Sequence, residues 1–322
     1  MRVEVDASAI AANVAAVAAQ AGVGVCGVVK ADGYGHGALV AARAMLDGGA
    51  AWLGVVDVAE ALALREAGID VPILAWLHAA DPDLAPAVAA GVDVGVSSLV
   101  QLELAALVGA TVHLKVDTGL GRNGVPLGEW EAVVARAAAL QAAGSVRVRG
   151  IFSHLAGSGA VSDARQRDAF VAACDVAAAL EPEVRHLANS SAAMGLAGAG
   201  MDLVRVGIAA YGIHPDGDDA AGSAATAAGL RPAMRVTGVA TDGVLDVGAR
   251  HGLLPAEGAP VLVGGRIVPI AEVGVATSRL AEHATGEAVL WGDPGEGEPT
   301  AVAWALAAGT IGYEVVTRMA AA

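Results

Sequence analysis

Between residue 7 and about residue 215 the chain alternates short apolar runs with longer stretches of helical spacing, and this limits the folds open to it. Eight runs read as strands: "GVGVCGVVK", "AWLGVVD", "VPILAW", "VDVGVSS", "TVHLKVD", "VRVRGIFSHL", "VRHLAN" and "LVRVGIA". Between them lie stretches such as "GALVAARAMLDG", "VAEALALREAG" and "EWEAVVARAAALQAAG", whose apolar residues recur every three or four positions, as on one helix face. Strands joined through helices run parallel, since an antiparallel return needs only a hairpin. Eight such units predict a closed α/β barrel of the (β/α)8 TIM type. A doubly wound open sheet is the alternative, because strand number alone does not prove closure.

After "YGIHPDG" the pattern changes. Residues 216–229 read as loop, and "MRVTGVA", "APVLVGG", "RIVPIAEVGVA" and "EAVLWG" read as short strands punctuated by Gly and Pro, the pattern of a small antiparallel β domain. The expected division is 1–226 for the barrel and 227–322 for the β domain.

Composition narrows the partners. A net charge of −15 over 322 residues argues against nucleic acid or an anionic membrane, both of which repel an acidic surface. Ala7 to Val29 carries no formal charge, yet Ser8, Asn13, Gln20 and its glycines break it up, and Val23–Val29 reads as a separate strand rather than part of a membrane helix. The opening "MRVEVD" lacks the basic head of a signal peptide. Cys26 and Cys174, both in apolar settings, suggest neither a disulfide framework nor a metal site. A soluble, cytoplasmic protein is expected.

Polar residues gather where strands end. Lys30, Ser97, His154 and Asn189 lie at or just beyond C-terminal strand ends, and Lys115 lies near another. In barrels of this type that face carries the active site. The stretch "VVKADGYGHGA" is the most unusual: an apolar strand closes on a lysine, then three glycines, a tyrosine and a histidine follow.

"VVKADGYGHG" resembles the cofactor segment of fold-type III pyridoxal-phosphate (PLP) enzymes, specifically the alanine racemase family. The likeness continues in order through "HLKVDTGLGRNGV", "GIFSHLAGS", "RHLANSSA", "VRVGIAAYGIHP", "LRPAM" and "TIGYEV". The resemblance implies that Lys30 binds the cofactor covalently and then serves as a base, for which desolvation helps by lowering an amine's pKa. It implies that Tyr34, Ser190, Gly207, Ile208 and Tyr313 cradle the phosphate and that Asn189 makes a neighbouring polar contact. Arg205 would face the pyridine nitrogen, with His154 behind it. An arginine there keeps that nitrogen unprotonated, which limits electron withdrawal and side reactions. Arg122 would meet the cofactor's phenolic oxygen and the substrate carboxylate. Lys115 matches a lysine carbamylated in many members to position that arginine; taken alone, it reads equally as one partner of a plain salt bridge. The resemblance also implies a head-to-tail homodimer in which each β domain roofs the partner's barrel.

The chain departs from this pattern at one catalytic position. The family's opposite-face base is a tyrosine in a Gly-Tyr-Ala-Asp-Gly segment, and its counterpart here, "VGARHGLLP", has Ala249 in that place. The segment framing the substrate entrance appears as "AEVGVATS", with Val275 and Ala276 where the family has Met and Asp. Fifteen to twenty residues before "GARHG" also look missing relative to the family, roughly, and loss of one of two acid/base groups costs about two to four orders of magnitude in rate. His251 is the candidate replacement, its ordinary pKa lying near neutrality; as a bare residue it reads as part of a polar loop. Three readings stay open: a racemase with a replaced or missing second base, a one-base D-amino-acid-specific lyase or transaminase, and a PLP binder without turnover.

Overall fold

The computed structural model describes residues 1–79, 82–196 and 201–319. The chain forms two compact units interleaved in sequence. One comprises Val17–Lys30 and Gly49–Gly207, the other Met1–Ala16, Ala31–Gly48 and Ile208–Ala322.

The first unit holds the parallel sheet. Its strands, in spatial order, are Leu203–Val206, Gly24–Val28, Trp52–Val55, Ile73–Ala75, Asp93–Val96, Thr111–Asp117, Arg147–Phe152 and Val184–His186. Each lies inside one of the eight runs read from the sequence. The sheet closes on itself: the Arg205 N–H donates to the Ala188 carbonyl at 2.9 Å, and the Asp202 N–H to the Arg185 carbonyl at 3.1 Å. The expected (β/α)8 barrel is therefore the observed one.

Its interior is not the usual filling of branched aliphatics. His113 sits in register with Gly95 on one neighbouring strand and Gly150 on the other. A Cβ at Gly150 would lie 2.2 Å from His113 Nδ1, and one at Gly95 would lie 2.9 Å from the Trp76 Cα. The two glycines thus vacate the space that a histidine and a tryptophan occupy. The Phe152 ring stacks on His186, centroids 4.9 Å apart and 6° from parallel. Cys26, fully buried in this unit, has its thiol pushed up to about 12 by desolvation, so it behaves as a small apolar group.

The second unit is built on an antiparallel sheet. Met234–Thr241 pairs with Val244–Leu245, which leads through Ser278–Leu280, Arg266–Val273, Pro260–Val263 and Gly286–Trp291 back to Met234–Thr241, a small closed barrel. The N-terminal strand Arg2–Val5 adds to the outer edge of Met234–Thr241. The expected β domain is present, with three features the sequence reading lacked. A short helix, Ser223–Ala227, interrupts the segment read as loop. It forms because Asp218 and Asp219 carboxylates accept the N–H groups of Ala221, Ser223, Ala224 and Ala225. Helices Ala301–Ala308 and Gly312–Thr317 follow the last strand. Among the described residues no helix is long and apolar enough to cross a membrane.

Candidate active site

Within the parallel barrel, the residues expected at the strand ends do converge. Lys30 lies two positions past the strand Gly24–Val28, half-buried, and its ammonium is destabilised first by desolvation and then by Arg122. Lys115 is 4 % exposed inside the strand Thr111–Asp117. Desolvation, with Arg122 and Arg205 nearby, brings its amine down to about 7, against a smaller opposing pull from Asp117. Its Nζ donates to Asn123 Oδ1, so its immediate partner is an amide rather than the carboxylate of a salt bridge. Asn123 Nδ2 reaches Ser97 Oγ at 3.4 Å. Arg122 itself is exposed on the loop after that strand, close enough to act electrostatically on Lys30, Lys115, His154 and Arg205.

Arg205 is the best-held group. It is 5 % exposed, and its Nη1 donates to His186 Nδ1 and the His186 carbonyl, both at 2.9 Å. Its Nη2 donates to the carbonyls of Ser153 at 2.7 Å and Leu187 at 2.9 Å, and reaches His154 Nδ1 at 3.3 Å. His154 therefore does lie against Arg205. Desolvation and the surrounding cations, Arg205 first, push its imidazole down to about 2, so it is neutral at any physiological pH. Ser190 Oγ accepts the Gly207 N–H at 2.9 Å, which leaves its hydroxyl proton to donate elsewhere. Asn189 caps the helix Ser190–Gly195, its Oδ1 accepting the Ala192 N–H at 3.0 Å, a structural duty beyond a ligand contact.

In the other unit, the chain after Lys30 makes a left-handed turn: φ is 53° at Ala31, 51° at Asp32, 60° at Gly33 and 56° at Tyr34. Three of these are not glycine, and each left-handed L-residue costs about 1–2 kcal/mol. The turn is fixed by Asp32, whose carboxylate accepts the Ala38 N–H at 2.7 Å, and by Gly35 N–H to Ala31 O at 3.0 Å. Gly35 must be glycine: φ is +79° and a Cβ would meet the Val316 carbonyl oxygen at 2.2 Å. The turn delivers Tyr34 into an aromatic cluster, 4.7 Å from Tyr211 and 5.0 Å from Tyr313 by ring centroids. Desolvation raises the Tyr34 phenol above its ordinary value, so it serves as a neutral hydroxyl. Ile208 opens the 3-10 turn Ile208–Tyr211 that places Tyr211 in the cluster.

The two segments that depart from the family pattern touch each other. The Ala249 N–H donates to the Gly274 carbonyl at 2.8 Å and the Arg250 N–H to the Val275 carbonyl at 2.9 Å. His251 Nδ1 accepts the Gly248 N–H at 3.0 Å, with Arg250 Nε 3.2 Å from Nε2. A neutral imidazole has one ring lone pair, and here both ring nitrogens face donors of its own loop, the Gly248 N–H at Nδ1 and the Arg250 Nε–H at Nε2.

Three buried groups escaped the sequence reading. Asp93, His113 and His186 form a hydrogen-bonded line from the barrel interior to Arg205. The signal was available: in "TVHLKVD" the polar residues Thr111, His113, Lys115 and Asp117 share one face, which in a barrel strand points either inward or outward as a set.

The residues fit a PLP cofactor. Among the described residues no hydrogen bond engages Arg205 Nε–H, so a buried, fixed cation retains one donor of the kind a pyridine nitrogen requires.

Comparison with known proteins identifies the family. The family described as alanine racemase, N-terminal domain, matches residues 5–215. The alanine racemase of Thermobifida fusca (strain YX) is 41 % identical over 357 positions, covering 98 % of this chain and 94 % of its own length. That alignment is longer than the 322-residue chain, so at least 35 of its positions belong to the relative alone. The alanine racemase of D-cycloserine-producing Streptomyces lavendulae superposes with a TM-score of 0.90 at 37 % identity, over 99 % of this chain and 94 % of that one. The Bacillus anthracis alanine racemase with bound L-Ala-P gives 0.84 at 26 % identity, over 99 % and 92 %. With the closed parallel barrel and the lysine and arginine at its strand ends, this likeness places the chain in the alanine racemase family.

Proposed function

We propose that the chain is a PLP-dependent racemase acting at the α-carbon of a small amino acid. The observation that carries this reading is the buried Arg205, whose terminal nitrogens are spent on protein acceptors while Nε–H remains to face a pyridine nitrogen. When bound, the cofactor supplies an electron-poor ring that stabilises negative charge at the substrate's α-carbon. The chain's residues do the rest. Lys30 anchors the cofactor covalently and then moves the α-proton at its Nζ on one face, helped by an ammonium already destabilised by desolvation. Arg122 binds the substrate carboxylate. Lys115, holding much neutral amine near pH 7, is suited to add carbon dioxide and become an anion that steadies Arg122. Tyr34, Ser190, Gly207, Ile208 and Tyr313 take the phosphate by hydroxyl and backbone N–H groups, with Asn189 beside them. In this reading residues 1–226 form the cofactor-binding barrel, residues 227–322 form the β domain and add Tyr313 to the phosphate cradle, and a cytoplasmic homodimer completes each site with the partner's β domain.

A second reading rests on a specific observation. The chain's three tyrosines form one cluster, Ala249 stands where the family's second base lies, and both ring nitrogens of His251 are engaged by donors of its own loop. A one-base enzyme acting on D-amino acids through Lys30, a lyase or a transaminase, suits that arrangement; retention of Arg122 argues against a PLP binder without turnover.

The test is incubation of the PLP-loaded protein with L-alanine and D-alanine separately in deuterated water, following α-proton exchange and chirality together. Exchange with inversion from both enantiomers supports the racemase. Exchange with retention from D-alanine alone replaces it with the one-base reading.

A further inference from the structure

Arg205 is a buried cation, and among the described residues no carboxylate pairs with it directly. An anion reaches it through two imidazoles instead. Asp93 Oδ2 lies 3.2 Å from His113 Nε2, His113 Nδ1 lies 2.9 Å from His186 Nε2, and His186 Nδ1 lies 2.9 Å from Arg205 Nη1. All four residues are 5 % exposed or less.

The protons in this line have one arrangement. A guanidinium only donates, so His186 Nδ1 must be bare and its proton must sit on Nε2. A carboxylate only accepts, so His113 carries its proton on Nε2 and is bare at Nδ1, where it receives the His186 proton. Read from either end, the result is the same. Asp93 is in turn held by Arg149 Nη1 at 3.1 Å on the same Oδ2, and Arg149 is braced by stacking 4.4 Å above the Trp52 ring. Gly150, which makes room for the His113 ring, belongs to the same device.

Such a line is costly. Barrel interiors of this kind are ordinarily filled by branched apolar side chains, and buried polar groups must all be satisfied. A line whose two ends agree on every proton holds Arg205 in one orientation and places a counter-charge behind it.

We propose that Asp93 and His113 are positioning residues for Arg205: acting through His186, they fix the orientation of its guanidinium and temper its charge at the cofactor's ring nitrogen. The second half of this statement rests on the PLP reading above; the first half does not.

The experiment uses the full-length PLP-loaded protein, labelled with ¹⁵N-histidine and ¹⁵N-arginine, as wild type, His113→Phe and His113→Gln. Glutamine keeps an acceptor towards His186 and a donor towards Asp93; phenylalanine keeps neither. The wild type is expected to show His113 and His186 as neutral Nε2–H tautomers and separate Nη resonances for a fixed Arg205 guanidinium. In His113→Phe the His186 tautomer becomes mixed, the Arg205 Nη resonances coalesce, and kcat falls roughly tenfold with KM changed less than about twofold, the size of one lost buried hydrogen bond. His113→Gln is expected to restore all three. An Nδ1–H tautomer at either histidine of the wild type, or a His113→Phe protein with wild-type Arg205 resonances, would overturn the proposal. So would a glutamine variant that folds like the wild type yet behaves like the phenylalanine variant. If the protein takes up no PLP or turns nothing over, the functional reading fails instead, and the tautomer and guanidinium resonances still decide the positioning claim.

Discussion

Replacing Lys115 by methionine tests the electrostatics of the barrel mouth most directly. In the fold its amine titrates at about 7, against 10.5 for an ordinary lysine, because it is desolvated and faces Arg122 and Arg205. A lysine depressed in the native state gives up its proton earlier there than in the unfolded chain. Below pH 7 both states hold the proton and the full penalty is present; between about 7 and 10.5 the unfolded state binds more protons, and stability rises with pH. From pH 6 to pH 9 the native group is released over about two of the three units, and at about 1.4 kcal/mol per unit the wild type gains about 2.7 kcal/mol from this side chain. Lys115→Met, of similar length and without charge, lacks that gain. Urea unfolding of both cofactor-stripped proteins in bicarbonate-free buffer should show the variant favoured at pH 6 and its relative advantage shrinking by about 2.7 kcal/mol at pH 9. Parallel stability curves for the two proteins across this window would refute the reasoning, because Lys115 would then titrate alike folded and unfolded.

Gly35→Ala should destabilise by several kcal/mol and give little soluble protein, since a Cβ there meets the Val316 carbonyl oxygen at 2.2 Å and φ is +79°; a melting temperature equal to wild type would contradict this. Tyr34→Phe should keep the fold and weaken PLP binding about ten- to a hundredfold, the worth of one hydrogen bond to a charged group, as read by equilibrium dialysis. Asn189→Ala should lower stability by about 1 kcal/mol through loss of the cap to Ala192, whether or not PLP is present. A loss seen only in the PLP-loaded protein would make its ligand contact the dominant role.

The fold was legible because each barrel strand is an apolar run set between helical stretches, and the period changes sharply at each junction. Lys30 and His154 drew notice as polar residues at or past the ends of such runs, whereas Arg205, inside the strand Leu203–Val206, was reached only through the family resemblance. The Asp93–His113–His186 line was not, because attention to strand ends passes over polar residues in strand interiors. Only the three-dimensional register, with His113 opposite Gly95 and Gly150, reveals that the alternation in "TVHLKVD" turns inward. The left-handed turn at Ala31–Tyr34 was hidden for another reason: alanine and tyrosine disfavour that conformation, and the Asp32 and Gly35 bonds that fix it leave no periodic mark in the sequence. The strand Arg2–Val5 was missed because four residues with alternating charge carry too little apolar signal, and its partner begins at Met234.

That last pairing bears on how the molecule is made. Arg2–Val5 is synthesised well before its neighbour Met234–Thr241, more than two hundred residues later in the chain. At about 5–20 residues per second, the delay is on the order of ten to fifty seconds. Throughout that interval the nascent chain carries Arg2–Val5 as an unpaired strand. Its alternating Arg2 and Glu4 keep that segment charged and soluble while it waits. Expression hosts that slow elongation lengthen the exposure, so the yield of folded protein should depend on translation rate and on chaperones that hold the unpaired strand.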